Sequence, residues 1–412
     1  MLGFLRAEAR WLSAGVLMTA ASGFGQTYFV SLSNASLRNA FALSHGQIGF
    51  LYGAATLTSA LALLEFGKLV DHASPRAAAL ASTVGLAIAC LILAIAPSWW
   101  ALLPAFLALR LFGQGMMSQV AMTATGRWFT RQRGRAVGVV SLGYPLSEVA
   151  LPPLAVASIA ALGWRETWVI SAIVLAAVCA PALYALLGQD RAPTSNDDPE
   201  GAVDQGCAAW RRGDVLREAS FWWMLCGVLS PAFIVTGLFF HHQQLIELKG
   251  WSAATFAFGF SWFAIVGMVA ALAAGAAIDR WSARALLPVY LMPMAVGLYL
   301  PLFFSGVWVV FVLMTLLGVM AGAAATVMGA IWPELYGVRH LGEVRALSFS
   351  AMVAASAASP ALMGALSDLG VALTVQLAGL GAYALLASGL MQIIQPRLTA
   401  IATGARPPNS AR

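Results

Sequence analysis

Two charged side chains, Arg110 and Glu148, lie deep inside long apolar stretches of this sequence. In a helix rising about 1.5 Å per residue, Arg110 lies about ten residues, or about 15 Å, from one end of its stretch. Glu148 lies at a similar depth, about eleven residues into its own stretch. A charge at the centre of an apolar layer costs roughly 2.5 to 3.5 kcal/mol, so such residues usually face a cavity or a partner. An arginine placed there can bind an anion, and a carboxylate can carry a proton.

The sequence leaves two interpretations of this pair open. In the first, Arg110 and Glu148 form a buried ion pair that only locks two helices together. In the second, Arg110 faces a central cavity and binds an anionic substrate, or exchanges partners with Glu148 during a cycle. Glu148 would then take up and release a proton as its surroundings change.

The composition defines the elements that must position these charges. Hydrophobic residues make up 60% of the 412 residues, charged residues make up 10%, and the mean hydropathy is +0.81. A chain this apolar belongs in a bilayer. We count twelve continuous apolar stretches, each long enough for the roughly 20 helical residues that cross about 30 Å. The sequence therefore predicts an all-α integral membrane protein with twelve transmembrane helices.

The distribution of basic residues predicts the topology. Short cytoplasmic loops collect lysine and arginine, and 19 of the 23 such residues fall in the two tails, the central loop and every second short loop. Both termini are therefore predicted to lie in the cytoplasm, as in a bacterial-type inner (plasma) membrane protein. The net charge of +6 follows from this bias, so no nucleic-acid partner is predicted. The four cysteines are isolated and have no metal-binding spacing, so neither a metal site nor a disulfide is predicted.

An internal repeat divides the chain. The segments Gly67-x-Leu69-x-Asp71-x-x-x-x-Arg76 and Gly275-x-Ala277-x-Asp279-x-x-x-x-Arg284 are 208 residues apart (279 − 71), about half the chain length. The sequence predicts an N-terminal half over 1–187, a polar cytoplasmic linker over 188–218, a C-terminal half over 219–396 and a cytoplasmic tail over 397–412. Each half is predicted to contain six helices.

These segments resemble the loop pattern Gly-x-Leu-x-Asp-x-x-Gly-Arg-Arg of the major facilitator superfamily. Ser74 and Pro75 replace the later Gly and Arg in the first copy, and Ala277, Ser282 and Ala283 depart in the second. The segment Arg110-x-x-Gly113-x-Gly115 is similar to the superfamily's helix 4 pattern. The resemblance implies two six-helix halves that rock around a midplane site. It also implies a gate in the repeated loops, formed by Gly67, Asp71, Arg76, Gly275, Asp279 and Arg284, which Glu334 can join.

The superfamily resemblance also implies that helices 1, 4, 7 and 10 surround the cavity. The candidate substrate-binding residues on helices 1, 4 and 7 are Gln26, Tyr28, Arg110, Gln114, Thr236, Phe240, His241 and Gln244. Glu148 is the candidate proton-coupling residue. For His241 and His242, a solvated pair at the membrane interface is the alternative to a proton relay. On helix 10, Gly318-x-x-x-Gly322 predicts close helix packing.

Two shorter segments, 127–136 and Phe221-Trp222, resemble the monocarboxylate and oxalate/formate exchanger branch, although 256–277 lacks the charge that helix 8 carries there. We therefore predict a monomeric secondary transporter of a small organic anion, such as a monocarboxylate, working as a proton-coupled symporter or an exchanger. The alternatives are efflux of neutral or cationic compounds and solute sensing without transport. An enzyme is not predicted, because no helix combines a nucleophile with a base, and no cofactor is predicted.

Overall fold

The computed structural model describes residues 6–72, 74–129, 133–188, 210–337 and 340–404, and every regular element in these ranges is helical. Most of the predicted linker, residues 189–209, lies outside the described ranges. The side chains of 64, 67–72 and 133 also lie outside the description. The predicted gate residues Gly67 and Asp71 lie in the helix His45–His72, and their side chains are among those outside the description.

The chain forms two compact units, and the first comprises residues 1–201 and Phe239–Gln243. Its helices are α1 (Ala9–Ala21), α2 (Thr27–Ser31), α3 (Asn34–Phe41), α4 (His45–His72), α5 (Pro75–Ala94), α6 (Leu102–Ala108), α7 (Ser118–Trp128), α8 (Arg133–Ser141), α9 (Gly143–Leu162), α10 (Trp164–Ile173) and α11 (Ala180–Leu186). Leu109–Met117 and Val174–Cys179 wind as π-helix between their neighbours.

The second unit comprises Ala202–Leu238 and Gln244–Arg412. The helices in this part of the chain are α12 (Arg212–Arg217), α13 (Ala219–Phe240), α14 (His242–Lys249), α15 (Ala253–Trp281), α16 (Ala283–Leu286), α17 (Met292–Phe303), α18 (Trp308–Tyr336), α19 (Leu341–Asp368), α20 (Leu373–Ile393) and α21 (Gln395–Ala402).

Nine helical runs among the described residues are long and apolar enough to cross a membrane. This confirms a helical multi-pass membrane protein, and the count of twelve stays a prediction. The first predicted stretch is not one continuous helix, because α1 ends at Ala21, a 3₁₀ turn covers Ser22–Gly25, and α2 begins at Thr27. A further predicted span is short, since α17 has 12 residues.

Close backbone contact holds α15 against α18 in the second unit, as Gly318-x-x-x-Gly322 predicts. A Cβ atom at Gly322 would lie 2.2 Å from the Gly267 carbonyl oxygen, and one at Gly318 would lie 2.7 Å from the Phe263 carbonyl oxygen. The Thr326 hydroxyl donates to the Ala271 carbonyl at 3.2 Å. Small residues therefore let these two helices approach, which is how helices associate in a membrane.

A second glycine contact fixes the core of the first unit. A Cβ atom at Gly25 would lie 2.2 Å from the Leu109 carbonyl oxygen, and one at Gly113 would lie 2.6 Å from the Gly25 Cα atom. Both glycines are buried. The broken first helix therefore lies directly against the π-helical segment that carries Arg110.

Candidate functional site

Arg110 lies in the middle of the first unit, on the π-helical segment Leu109–Met117. Single π-helical turns inside longer helices often mark functional positions. The side chain is 2% exposed. Its Nη1 atom donates to the Gly25 carbonyl at 3.4 Å and to the Thr27 hydroxyl at 3.3 Å, while its Nε atom is buried without a hydrogen-bond partner.

Tyr52 on α4 completes the surroundings of this guanidinium. The Arg110 Cζ atom lies 5.3 Å from the centre of the Tyr52 ring, which is within the range of a cation–π interaction. The Tyr52 hydroxyl donates to the Thr27 hydroxyl at 2.8 Å. Thr27 therefore accepts from both side chains, and the partners of Arg110 in the described part of the chain are neutral.

Glu148 lies on α9 and is half-buried. The neighbouring Ser147 hydroxyl shares a hydrogen bond with the Tyr28 hydroxyl at 3.0 Å. Among the described residues, no ion-pair or hydrogen-bond partner is found for the Glu148 carboxylate. Tyr28 itself is buried, and Ser147 also donates to the Tyr144 carbonyl at 2.7 Å.

Both residues of the predicted pair belong to the described part of the chain, and no ion pair joins Arg110 to Glu148. The interpretation in which they only lock two helices together is therefore wrong for this conformation. The periodicity of the sequence gives the depth of each charge, but it does not give the rotation of each helix about its axis. An arginine that is buried without an acidic partner is costly, and no acidic partner of Arg110 is found among the described residues.

The roles of Gln26 and Gln114 as substrate ligands stay predictions. Gln26 lies at the helix break and Gln114 on the π-helical segment, and both are half-buried. Ser118 follows on α7 and is hydrogen-bonded by the Tyr144 side chain. Polar groups thus continue along this helical run on both sides of Gly113 and Gly115.

Phe240 and His241 are packed into the first unit. The Phe240 ring centre lies 4.6 Å from that of Tyr52, and the Phe240 carbonyl accepts a hydrogen bond from Asn34 at 2.7 Å. The His241 ring centre lies 5.9 Å from that of His45. His241 and His242 are 1% and 3% exposed, so the alternative of a solvated pair is wrong. The turn between α13 and α14 buries both rings.

Thr236 and Gln244 belong to the second unit. Thr236 is half-buried on α13. Gln244 accepts a hydrogen bond from the Ser367 hydroxyl at 3.2 Å, and Ser367 accepts one from Gln376 at 3.0 Å. Gln244 therefore joins a polar network within this unit, and its role as a substrate ligand stays a prediction.

The second repeated loop forms an ion pair, in which Arg284 of the repeat pairs with Glu334 and not with Asp279. Arg284 Nε lies 3.7 Å from Glu334 Oε1, and Glu334 Oε2 accepts from the Ala283 amide at 2.8 Å. Asp279 is exposed and does not pair with Arg284, because the chain turns sharply at Ser282, where φ is 97°. Glu334 thus contacts the second repeated loop, and its role in a gate stays a prediction.

Two further gate candidates have simpler surroundings. Gly275 lies on α15. A Cβ atom there would lie 3.9 Å from the Thr326 methyl group, which is an ordinary van der Waals contact. The Arg76 guanidinium lies 3.7 Å from the centre of the Tyr184 ring. A gating role for these residues stays a prediction.

Thr27 and Tyr52 are the site residues that sequence reasoning missed. Thr27 stands between the candidates Gln26 and Tyr28, and a helix break would have pointed to it, since Gly23 and Gly25 precede it. Tyr52 lies on α4, which is the second predicted transmembrane helix. The superfamily resemblance does not place that helix at the cavity. Among the described residues, no group of three or more metal-ligating side chains occurs.

Comparison with known proteins agrees with this architecture. The sequence profile of the Major Facilitator Superfamily matches residues 15–262 and 244–405. A bacterial homologue of the human lysosomal transporter Spinster, in an inward-facing and occupied conformation, superposes with a TM-score of 0.69 at 16% identity. That match covers 97% of this chain and 98% of the other. The inward-facing unoccupied form gives a TM-score of 0.67, also at 16% identity, over 96% and 97% of the two chains.

One characterised relative matches over a shorter stretch. A probable L-galactonate transporter of Escherichia coli (strain K12) is 24% identical over 154 residues, and the match spans 34% of this chain and 31% of the relative. The chain thus aligns with about a third of that protein. The family match is far more extensive. Since the profile covers nearly the whole sequence and the helical architecture agrees with it, this chain belongs to the Major Facilitator Superfamily of membrane transporters.

Proposed function

We propose that this protein is a secondary active transporter that moves a small organic anion across the membrane by alternating access, with proton coupling or exchange. The proposal includes twelve transmembrane helices, both termini in the cytoplasm, a bacterial inner membrane and a monomeric protein. The substrate class is a compound with one carboxylate, such as a monocarboxylate. A proton gradient, or the gradient of a second anion, would drive the transport of this substrate.

The observation that carries this proposal is the uncompensated charge of Arg110. A buried guanidinium is strongly disfavoured unless a negative charge and hydrogen bonds stabilise it. Gly25, Thr27 and Tyr52 supply only dipoles and a ring face. A substrate carboxylate would supply the missing charge, and it fits the fork of a guanidinium in a bidentate arrangement.

Efflux of neutral or cationic compounds is less well supported. That alternative depends on Glu148 neutralising Arg110, and the two residues do not pair. A cationic substrate would have to approach a guanidinium that already lacks a counter-charge, and like charges at short distance repel.

Glu148 is the proposed coupling residue. Its carboxylate lies in the same unit as Arg110, at comparable predicted depth, and follows Ser147 in the sequence. A carboxylate that is not paired with a cation can change its protonation state as access to water changes. Ionisable groups inside transporters commonly serve such relays.

Hydroxylated carboxylates are the first compounds to test. The polar side chains near Arg110 and Glu148 are mostly hydroxyls and amides, which suit a substrate with several hydroxyl groups. The relative from Escherichia coli carries the name of a sugar-acid transporter, which supports the same choice.

The test is thermal stabilisation of the purified protein by carboxylates, with the corresponding alcohols, amines and neutral sugars as comparison compounds. A ligand at 100 times its dissociation constant adds about 2.7 kcal/mol to the stability of the protein. We expect carboxylates alone to stabilise the wild type. The Arg110→Gln protein should lose this response, and Arg110→Lys should retain only part of it, because lysine cannot bind a carboxylate through two parallel hydrogen bonds.

Arg165 provides a matched control within the same unit. Its Nη1 atom donates to the Ala94 and Ala96 carbonyls at 2.7 and 3.1 Å at the end of α5, so its role is structural. Arg165→Gln should lower the starting stability and leave the response to carboxylates intact. Stabilisation of the Arg110→Gln protein by carboxylates would refute the proposed binding role. Uptake of a stabilising carboxylate into sealed vesicles then separates transport from sensing.

A further inference from the structure

Tyr52 contacts three groups that matter for the proposed site. It is fully buried on α4. One contact is the cation–π contact with Arg110, at 5.3 Å from Cζ to the ring centre, and another is the hydrogen bond to Thr27 at 2.8 Å. The third is its ring contact with Phe240, at 4.6 Å between centres and 34° between planes.

The Phe240 contact links the site to a distinct segment of the chain. Phe239–Gln243 is grouped with the first unit, although the residues on either side of it belong to the second. The regular helix ends at Phe240, and α14 starts at His242. The break leaves the Phe240 carbonyl able to accept the hydrogen bond from Asn34 at 2.7 Å.

A bound anion would change the balance of contacts on Tyr52. The attraction between a guanidinium and an aromatic face depends on the positive charge. A carboxylate bound to Arg110 neutralises that charge and draws the guanidinium toward itself, so the contact with the Tyr52 ring weakens. The Tyr52 ring, which also contacts Phe240, is then held by one attraction fewer.

We propose that Tyr52 is a positioning residue that couples anion binding at Arg110 to the packing of the segment Phe239–Gln243. Its ring contacts both Arg110 and Phe240, and its hydroxyl donates to Thr27. Anion binding loosens the segment, and disengagement of the segment favours anion binding by the same free energy. This inference rests on the proposed binding of an anion at Arg110.

The experiment measures anion binding and segment packing in the same protein. Cysteine replaces Gln243, which is half-buried, in a background where the four native cysteines are changed to serine. The rate of modification by a thiol reagent is then recorded with and without a carboxylate that stabilises the protein. We expect the carboxylate to raise this rate by about 2- to 30-fold, the range that corresponds to one cation–π contact.

Three variants separate the contributions of the ring and of the hydroxyl group. Tyr52→Phe keeps the ring and should keep the carboxylate-dependent change. Tyr52→Leu removes the ring face and should make the modification rate independent of the carboxylate, at carboxylate concentrations that saturate this variant. Tyr290→Phe is the control, since it also removes a buried tyrosine hydroxyl, which donates to the Gly227 carbonyl at 3.0 Å. It should behave as the wild type does.

The outcomes distinguish this inference from the proposed function. If no carboxylate stabilises the wild type, the proposed anion site is wrong. If the carboxylate binds but the modification rate does not rise, or rises equally in Tyr52→Leu, the coupling role of Tyr52 is refuted. If Tyr52→Leu does not fold, Phe240→Leu breaks the same contact from the other side and must give the carboxylate-independent rate.

Discussion

Ser282 holds a backbone conformation that belongs to glycine. Its φ and ψ angles are 97° and 157°, in a region that is essentially restricted to glycine and costs other residues of order 1–3 kcal/mol. Its hydroxyl oxygen is also buried without a hydrogen-bond partner. The superfamily loop pattern has glycine at this position, between the residues that correspond to Asp279 and Arg284. The serine therefore destabilises the turn that brings Arg284 to Glu334.

Ser282→Gly should stabilise the protein. The substitution relieves the backbone strain of about 1–3 kcal/mol. It also increases the conformational freedom of the unfolded chain, which lowers the gain in the free energy of unfolding by about 0.4–1 kcal/mol. Removing a buried hydroxyl that lacks a partner adds a favourable contribution. The net gain in the free energy of unfolding should be about 1–2 kcal/mol.

The internal repeat supplies a matched control. Ser74 occupies the equivalent position of the first copy, where φ is −64° and ψ is 145°. Its hydroxyl accepts a hydrogen bond from the Ala77 amide at 3.2 Å and caps α5. Ser74→Gly therefore relieves no strain and loses a cap, which should cost a few tenths of a kcal/mol. The same substitution should have opposite signs at the two positions.

Unfolding of both variants would be followed by heat and by denaturing detergent, at one lipid and protein concentration. Anion uptake into vesicles would be measured in parallel, because strained residues cluster at positions that move. If Ser282→Gly leaves stability unchanged or lowers it, the assignment of strain to Ser282 is refuted. Equal effects at Ser74 and Ser282 would show instead that loop flexibility alone decides the outcome.

Three further perturbations follow from the described contacts. Glu148→Gln should leave anion exchange intact but remove its dependence on pH, and vesicle assays over a series of external pH values check this. The hydrogen bonds from Arg397 at 3.1 and 2.9 Å lower the pKa of Glu218 below its ordinary value of 4.5. Its stabilising contribution is therefore present above pH 4.5 and lost as the pH falls through the lowered pKa. Because Arg397 is 37% exposed, Glu218→Gln should cost only about 1 kcal/mol at pH 7. Below pH 4.5, the stability of this variant should vary less with pH than the stability of the wild type. Gly322→Ala should cost about 1–3 kcal/mol in thermal unfolding, since overpacked contacts cost that much, whereas Gly329→Ala, with open space around it on the same helix, should cost nothing.

Much of the fold could be predicted from the sequence because membrane helices have a strong signal. Continuous apolar stretches give helices wherever the backbone must satisfy its own hydrogen bonds, and nine such runs are present among the described residues. The spacing of Gly318 and Gly322 predicts the close contact of α15 and α18. The break between Ala21 and Thr27 was missed, since no proline marks it and its glycines are tolerated in membrane helices.

The site was harder to predict than the fold. Depth in the membrane follows from counting residues, so Arg110 and Glu148 could both be singled out. Their partners depend on helix rotation and on contacts between distant parts of the chain. Tyr52 therefore could not be derived, and Thr27 could be derived only from a helix break that was not predicted. The solvated pair expected for His241 and His242 was wrong, because helix rotation and packing bury both rings.

The break in the first helix explains how Arg110 can remain without an acidic partner. In a continuous helix the Gly25 carbonyl would bond within the helix, whereas here it accepts a hydrogen bond from Arg110. A carbonyl dipole reduces the cost of burying the guanidinium without neutralising it. A carboxylate from the protein itself would compete with an anionic substrate for the same donors, so neutral partners keep the charge available. The close contact of Gly25 with Gly113 is what brings that carbonyl within reach, so Gly113 of the helix 4 pattern helps to position a neutral partner for Arg110.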